Sequence, residues 1–300
     1  MKYYRNVIRY DAKETKMVRI YADSTNDLSE EYIRDNDIRI IPLYITLGDR
    51  TGKDGVDITA DEIFKWADEN KDVPSTAAFS PADVAEVLQE AKDAGDDVVF
   101  VGISGDFSAV CQAVRIAADD MEYGDHIAVI DSRNLSTGIG LVIMETVRLR
   151  DEGADINTIR EKLQEIIPKV RASFVIDTLE YLHRGGRCSS VAKVFAGTLK
   201  IKPKIVVENG RMKVSRKYRG NLQAVLLKYA NDMEEDLKQA DPRNVYITHS
   251  GVDSAIVDEV RAYLESLGHF ENIIETRAGG IISCHCGPGT LGVLFVDGRD

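Results

Sequence analysis

Several stretches of the chain hold side chains whose type and spacing could do chemistry. Cys284, His285 and Cys286 are consecutive. Thiolates and imidazole bind zinc, but this run lacks the two-residue spacer of zinc knuckles and a second ligand pair downstream. Gly102-Ile103-Ser104-Gly105-Asp106 nearly matches a nucleophile elbow, with Asp106 where the closing glycine belongs. Gly138-Ile139-Gly140 begins like a dinucleotide fingerprint, yet its third glycine is missing and the segment lies in a helical pattern. What remains is a concentration of hydroxyls, Thr76, Ser80, Ser104 and Ser108, with few acid or base groups beside them. Asp23, Asp131 and His285 are the groups that a phosphotransferase or hydrolase acting in an interdomain cleft would use.

The elements that must position these groups follow from periodicity. Val98–Ile103 and Ile127–Ile130 are continuous apolar runs separated by a helical stretch from Ser108 to Met121, the pattern of buried parallel strands with crossover helices. Ligands of such sheets sit at the carboxyl ends of the strands, which directs attention to Asp23-Ser24, to Ser104 through Ser108, and to Asp131-Ser132. Ser80, followed by Pro81 and by Asp83, is a helix N-cap with Gly95 as the stop. Thr59 and Glu62 open another helix, and Ser29 a brief one. Ser108 reads equally as a cap or as a hydroxyl beside a helix N-terminus, which offers unsatisfied N–H groups to an anion. Ile38 to Leu47 reads as one apolar strand, and Asn134–Arg150 and Ile156–Val170 read as helices.

Beyond Arg171 the pattern changes. Glu208-Asn209-Gly210-Arg211 between alternating runs predicts a type I′ hairpin, followed by a helix over Leu222–Leu237, a strand at Asn244–His249, a helix over Ser254–Leu267, and strands at Ile273–Thr276 and Thr290–Val296. At 300 residues the chain exceeds one usual core. The expected fold is α/β in two domains: a polar extension over 1–17, a mostly parallel sheet with helices on both faces over 18–170, and an α/β domain with a mixed, partly antiparallel sheet over 171–300.

The net charge of -12, from 50 acidic and 38 basic residues, opposes nucleic acid, and no basic block offsets it. Four scattered cysteines, Cys111, Cys188, Cys284 and Cys286, fit reduced thiols in a cytosol. No stretch reaches the ~18 apolar residues of a membrane span. The expectation is a cytoplasmic protein with no metal.

Asp23-Ser24-Thr25-Asn26-Asp27-Leu28, Pro42-Leu43, Thr76 through Pro81, Ile103 through Gln112, and Asp131-Ser132 with Ser136, Gly138 and Gly140 form an ordered motif set that resembles DegV family proteins. The match continues through Leu179-Glu180-Tyr181-Leu182-His183-Arg184-Gly185-Gly186-Arg187, Lys202-Pro203, Arg219 and His285 to Gly289. The resemblance implies a long-chain fatty acid held between two domains, its carboxylate on hydroxyls of the first and its tail in the second. It implies no other cofactor, and a binding subunit rather than an enzyme, presenting the carboxyl group to a separate ATP-dependent fatty-acid kinase. By motif position, Thr76 and Ser108, with Ser104 near them, become the carboxylate ligands. Arg187, Arg219 and His285 surround the head group, and Asp23, Ser24, Asp131, Ser132 and Gly186 support it. Ala77, Ala78 and Phe79, and Phe107, Ala109, Val110 and Cys111, depart from the family's usual residues around the two hydroxyls. A different apolar carboxylate would fit the same residues.

Overall fold

The computed structural model describes residues 16–186 and 201–299. β1 (Val18–Asp23) runs into a 3-10 turn at Ser24–Asn26, and α1 (Glu30–Asp35), capped by Ser29, leads to β2 (Ile38–Ile41). The apolar run after Asp37 is not one strand. Pro42, which has no N–H to donate to a ladder, separates β2 from β3 (Tyr44–Leu47), and the two halves join different sheets. β3 pairs antiparallel with β4 (Arg50–Lys53) and with the short β5 (Ser75–Ala77).

α2 (Ala60–Asn70) and α3 (Pro81–Ala94) both begin with reciprocal capping boxes, Thr59 with Glu62 and Ser80 with Asp83. Gly95, at φ 71°, ends α3 in the left-handed conformation that glycine adopts without strain. β6 (Asp97–Gly102), α4 (Val110–Asp120) and β7 (Ile127–Asp131) complete a parallel sheet in the order β2-β1-β6-β7. The Ser108 hydroxyl caps nothing: the α4 cap position is Ala109, with no side-chain bond.

α5 (Thr137–Asp151) is buried along most of its length because it lies between two sheets, touching β1 and β6 on one side and, on the other, β8 (Val170–Val175) and a strand near the C-terminus. Gly140 sits there because a Cβ would press on Leu28 and on the Asn26 carbonyl; the paired glycines serve close packing, not a nucleotide. α6 (Ile156–Ile166) stops short of the expected Val170, because Pro168 turns the chain into a 3-10 turn before β8.

After α7 (Glu180–Arg184), β9 (Lys202–Glu208) and β10 (Arg211–Tyr218) form the expected hairpin, with Asn209 at φ 51° and Gly210 at φ 82°. The helix expected over Leu222–Leu237 is two, α8 (Leu222–Asn231) and α9 (Glu234–Leu237). The break falls at Asp232, whose carboxylate accepts from Tyr218 Oη at 2.9 Å and pairs with Arg216 at 2.7 Å, while Met233 is buried against Ser173. β11 (Ala240–Ser250), α10 (Ser254–Ser266), β12 (Asn272–Arg277), α11 (Gly280–Cys286) and β13 (Thr290–Asp297) follow. The second sheet runs β10-β9-β8-β13-β11-β12, parallel only between β11 and β12. One face of it shares a continuous core with the first sheet, and its other face is covered by α8 and α10.

Candidate functional site

Thr76 lies on β5, in register with Ile45 of β3. Ser108 lies in the loop between β6 and α4. That loop is pinned by two buried bonds, Ile103 N–H donating to Asp23 at 2.7 Å and the Ser104 hydroxyl to the Gly210 carbonyl at 2.8 Å, and by an exposed one, Gly105 N–H to Asp131 at 3.1 Å. With its neighbours tied down, the Ser108 side chain faces a cavity and makes no hydrogen bond to a described residue.

The third polar group comes from the far end of the chain. His285 stands in the last turn of α11, and its Nε2 is 2.9 Å from Thr76 Oγ1. The ring lies so close to Gly185 that a Cβ there would overlap Nδ1, and a Cβ on Gly287 would overlap the Tyr181 ring. Gly185 thus allows α7 to pack across the histidine.

Thr76, Ser108 and His285 border a cavity otherwise walled by apolar side chains, including Leu43, Ile103, Phe107, Leu182 and Met212. Leu135, Ile282 and Cys286 also line a second, more apolar space between α11 and strands β8, β11 and β13, bounded by Phe174 and Leu294. The two spaces share these three walls, and Thr76, Ser108 and His285 line the first.

The other residues singled out by sequence fall elsewhere. Ser104 is 1% exposed and locks the β6–α4 loop to the β9–β10 turn instead of facing the cavity. The Asp23 carboxylate is fully buried on Ile103 N–H, Thr25 N–H and the Thr25 hydroxyl, and burial raises it above the usual carboxylate range. Ser24 donates to Asp54 at 2.8 Å and accepts from Leu43 N–H at 3.2 Å. Asp131 holds Gly105 N–H and, at 2.7 Å, Arg133 N–H, while Ser132 accepts from Asn134 N–H. Both aspartates are spent on loop backbone, so neither is poised as the base of a cleft enzyme. Gly186, at φ 68°, follows the end of α7. Arg219 is exposed after β10 and does not border the cavity. Arg187 lies outside the described residues. Cys284 and Cys286 are buried, and burial pushes the Cys286 thiol up to about 12 and the Cys284 thiol higher still, which keeps both protonated. Among the described residues no group of three or more His, Cys, Asp or Glu is arranged to hold a metal ion.

Sequence reasoning missed the apolar walls and the helix that delivers His285. The unbroken run Ala278 to Cys286, with only Ser283 and His285 polar, was the available signal for a buried helix there.

Two α/β layers closing on an apolar cavity with polar atoms gathered at one end define a two-domain α/β protein built around an interlayer binding pocket. Residues 17–298 match the family model described as uncharacterised protein, DegV family, and the chain belongs to the DegV family. A DegV domain-containing protein of Caldanaerobacter subterraneus subsp. tengcongensis is 33% identical over 280 residues, covering 93% of this chain and 98% of the relative. Among solved structures, a DegV family protein from Thermus thermophilus described for fatty acid binding superposes with a TM-score of 0.86 at 28% identity, over 94% of this chain and 99% of its own. A stearic acid-binding protein from Eubacterium ventriosum does so with a TM-score of 0.82 at 27% identity, over 94% and 99%.

Proposed function

We propose that this protein holds one long-chain fatty acid, with the carboxylate at Thr76, Ser108 and His285 and the tail running past Leu135 and Ile282 into the space beside β8 and β13. The observation that carries the reading is the Thr76–His285 pair set at the polar end of an otherwise apolar cavity, and the fatty-acid-binding relatives support it. Residues 18–170 supply the hydroxyls, while residues 171–300 supply His285 and much of the tail wall.

Burying a tail at ~0.8 kcal/mol per methylene contributes roughly 10 kcal/mol for a dozen methylenes, against association costs of about 4–15 kcal/mol. Affinity comes from the tail, and the three polar groups set orientation. A carboxyl group held at one end of its pocket is placed for chemistry by another protein. The protein therefore serves as a cytoplasmic carrier that presents the acid to a separate ATP-dependent kinase. Among the described residues no helix is long and apolar enough to cross a membrane.

Native mass spectrometry of freshly purified protein, with denaturing extraction of whatever is bound, tests the reading. A released long-chain acid, or stoichiometric uptake of added hexadecanoate by stripped protein, is the expected result. Protein that is empty and stays empty overturns it.

A further inference from the structure

The helix that brings His285 to Thr76 is held at its opposite end by two carboxylates from separate loops. Asp27, following the 3-10 turn after β1, accepts from Gly279 N–H at 2.9 Å. Asp54, following β4, accepts from Gly280 N–H at 3.0 Å. These are N–H groups that a helix leaves without an internal partner, and Gly279, the cap residue of α11, has no side chain to satisfy them. Each carboxylate is fixed through its other oxygen. The Ser136 hydroxyl donates to Asp27 at 2.5 Å and the Ser24 hydroxyl to Asp54 at 2.8 Å.

Independent features point to the same contact. A Cβ on Gly280 would meet Asp54 Oδ1 and lie 2.7 Å from Ile45, so the approach needs that glycine, and one on Gly279 would lie a tight 3.1 Å from Asp27 Oδ1. Ser136 holds φ 54° and ψ -143°, a costly backbone conformation for a residue with a side chain. That conformation accompanies the hydroxyl's bond to Asp27, and the preceding residue, Leu135, lines both cavities. Burying carboxylates is costly, yet Asp27 and Asp54 are 7% and 4% exposed. Over the ~7.5 Å from Gly280 to His285 a helix moves as a rod, so where its first N–H groups are held is where the imidazole stands.

We propose that Asp27 and Asp54 are positioning residues for the ligand site: by fixing the N-terminus of α11 they set His285 against Thr76, and with it the affinity for the ligand's carboxylate. The proposal rests on the fatty-acid reading of that site, and its test separates the two.

Full-length protein stripped of lipid is titrated with hexadecanoate, and the His285 ring is followed by 15N NMR in the ligand-free state. Asp27→Ala and Asp54→Ala raise Kd about tenfold or more, the scale of one hydrogen bond to a charged group, and move the His285 resonances. Asp27→Asn and Asp54→Asn keep an acceptor oxygen in place and return both readouts close to wild type. Should the alanine variants not fold, Ser24→Ala and Ser136→Ala carry the test, since they loosen the carboxylates without removing them; a raised Kd together with moved His285 resonances is again the expected result. Unmoved His285 resonances in the folded variants overturn the proposal, whether or not Kd changes, because affinity would then not run through the ring. Moved resonances with an unchanged Kd overturn it as well. If wild-type protein takes up no hexadecanoate, the fatty-acid reading falls, and the His285 resonances alone decide whether the pair positions the helix.

Discussion

Thr76 and His285 are 209 residues apart in the chain, and Thr76 Oγ1 lies 2.9 Å from His285 Nε2. One comes from a three-residue strand of the small antiparallel sheet and the other from the last turn of a helix inserted between two strands of the large mixed sheet. Their hydrogen bond joins the small antiparallel sheet to α11 along the wall of the cavity, so this polar pair exists only when these layers are closed on each other.

Loss of either hydroxyl should weaken ligand binding without abolishing it. A hydrogen bond to a charged group contributes on the order of 1.5–3 kcal/mol, so Thr76→Val and Ser108→Ala should each raise Kd for hexadecanoate by roughly 10- to 150-fold. Calorimetric titration checks this. Unchanged affinity in both variants would remove these residues from the carboxylate site.

Gly185→Ala should act at a distance from the hydroxyls. The residue is right-handed, with φ -69°, so alanine is unstrained locally, but its Cβ would overlap the His285 ring. Overpacking costs about 1–3 kcal/mol, and the relief available is to push the imidazole off Thr76. Lower affinity in a folded variant is expected. Affinity equal to wild type would show that the ring's position is immaterial to binding.

Widening Ile282 should shorten the ligand that fits, because Ile282 borders both spaces. In Ile282→Trp, hexadecanoate should lose about fourfold in affinity for each methylene kept out, while dodecanoate loses far less. Equal losses for both acids would mean that the tail does not pass this residue.

Burial lifts the Asp27 carboxyl to about 7 and that of Asp54 to about 6, against about 3.9 for an unfolded aspartate. Asp54, Asp23 and the Cys286 thiol are titratable neighbours of Asp27, and the two carboxylates push it the same way as burial does. The native state therefore keeps protons that the unfolded chain has released. The stability tied to Asp27 is full below about pH 4 and is lost as pH rises towards 7. Asp27→Asn removes that loss. Its stability advantage over wild type, read as a higher Tm, should grow between pH 4.5 and 7.5 by on the order of 1–3 kcal/mol, and an advantage independent of pH would refute the assignment.

Ser80 provides the contrast within the same motif as Thr76. Its hydroxyl accepts from Asp83 N–H at 3.2 Å as the cap of α3, so Ser80→Ala should cost about 1 kcal/mol of stability, read as a lower Tm. Hexadecanoate affinity should stay at the wild-type value, and a large rise in Kd would place Ser80 in the site.

What the sequence determined by itself was whatever depends on neighbours a few residues away. The capping boxes at Thr59 and Ser80, the stop at Gly95, the type I′ turn at Asn209-Gly210 and the buried strand at Val98 are each set by hydrogen bonds or side-chain faces within about one turn or one hairpin, and each stands in the structure as read. The motif order from Asp23 to Gly289 was likewise enough to identify the family. Tertiary structure decided the rest. Pro42 split an apolar run between two sheets, and the burial of Met233 and the pairing of Asp232 broke a helix that periodicity would have continued. Gly280–Cys286 became helical although it begins with glycine, a poor helix former, because Asp27, Asp54 and the surrounding core supply the partners its own sequence lacks. Ser104 and Ser108, alike as letters near a strand end, were separated by one distant carbonyl, Gly210, which took the first and left the second facing the cavity. A pocket built from residues 43, 76, 108, 135, 212 and 285 has no local signature, because the free energy that assembles it is packing and hydrogen bonding between segments that meet only when the two layers close.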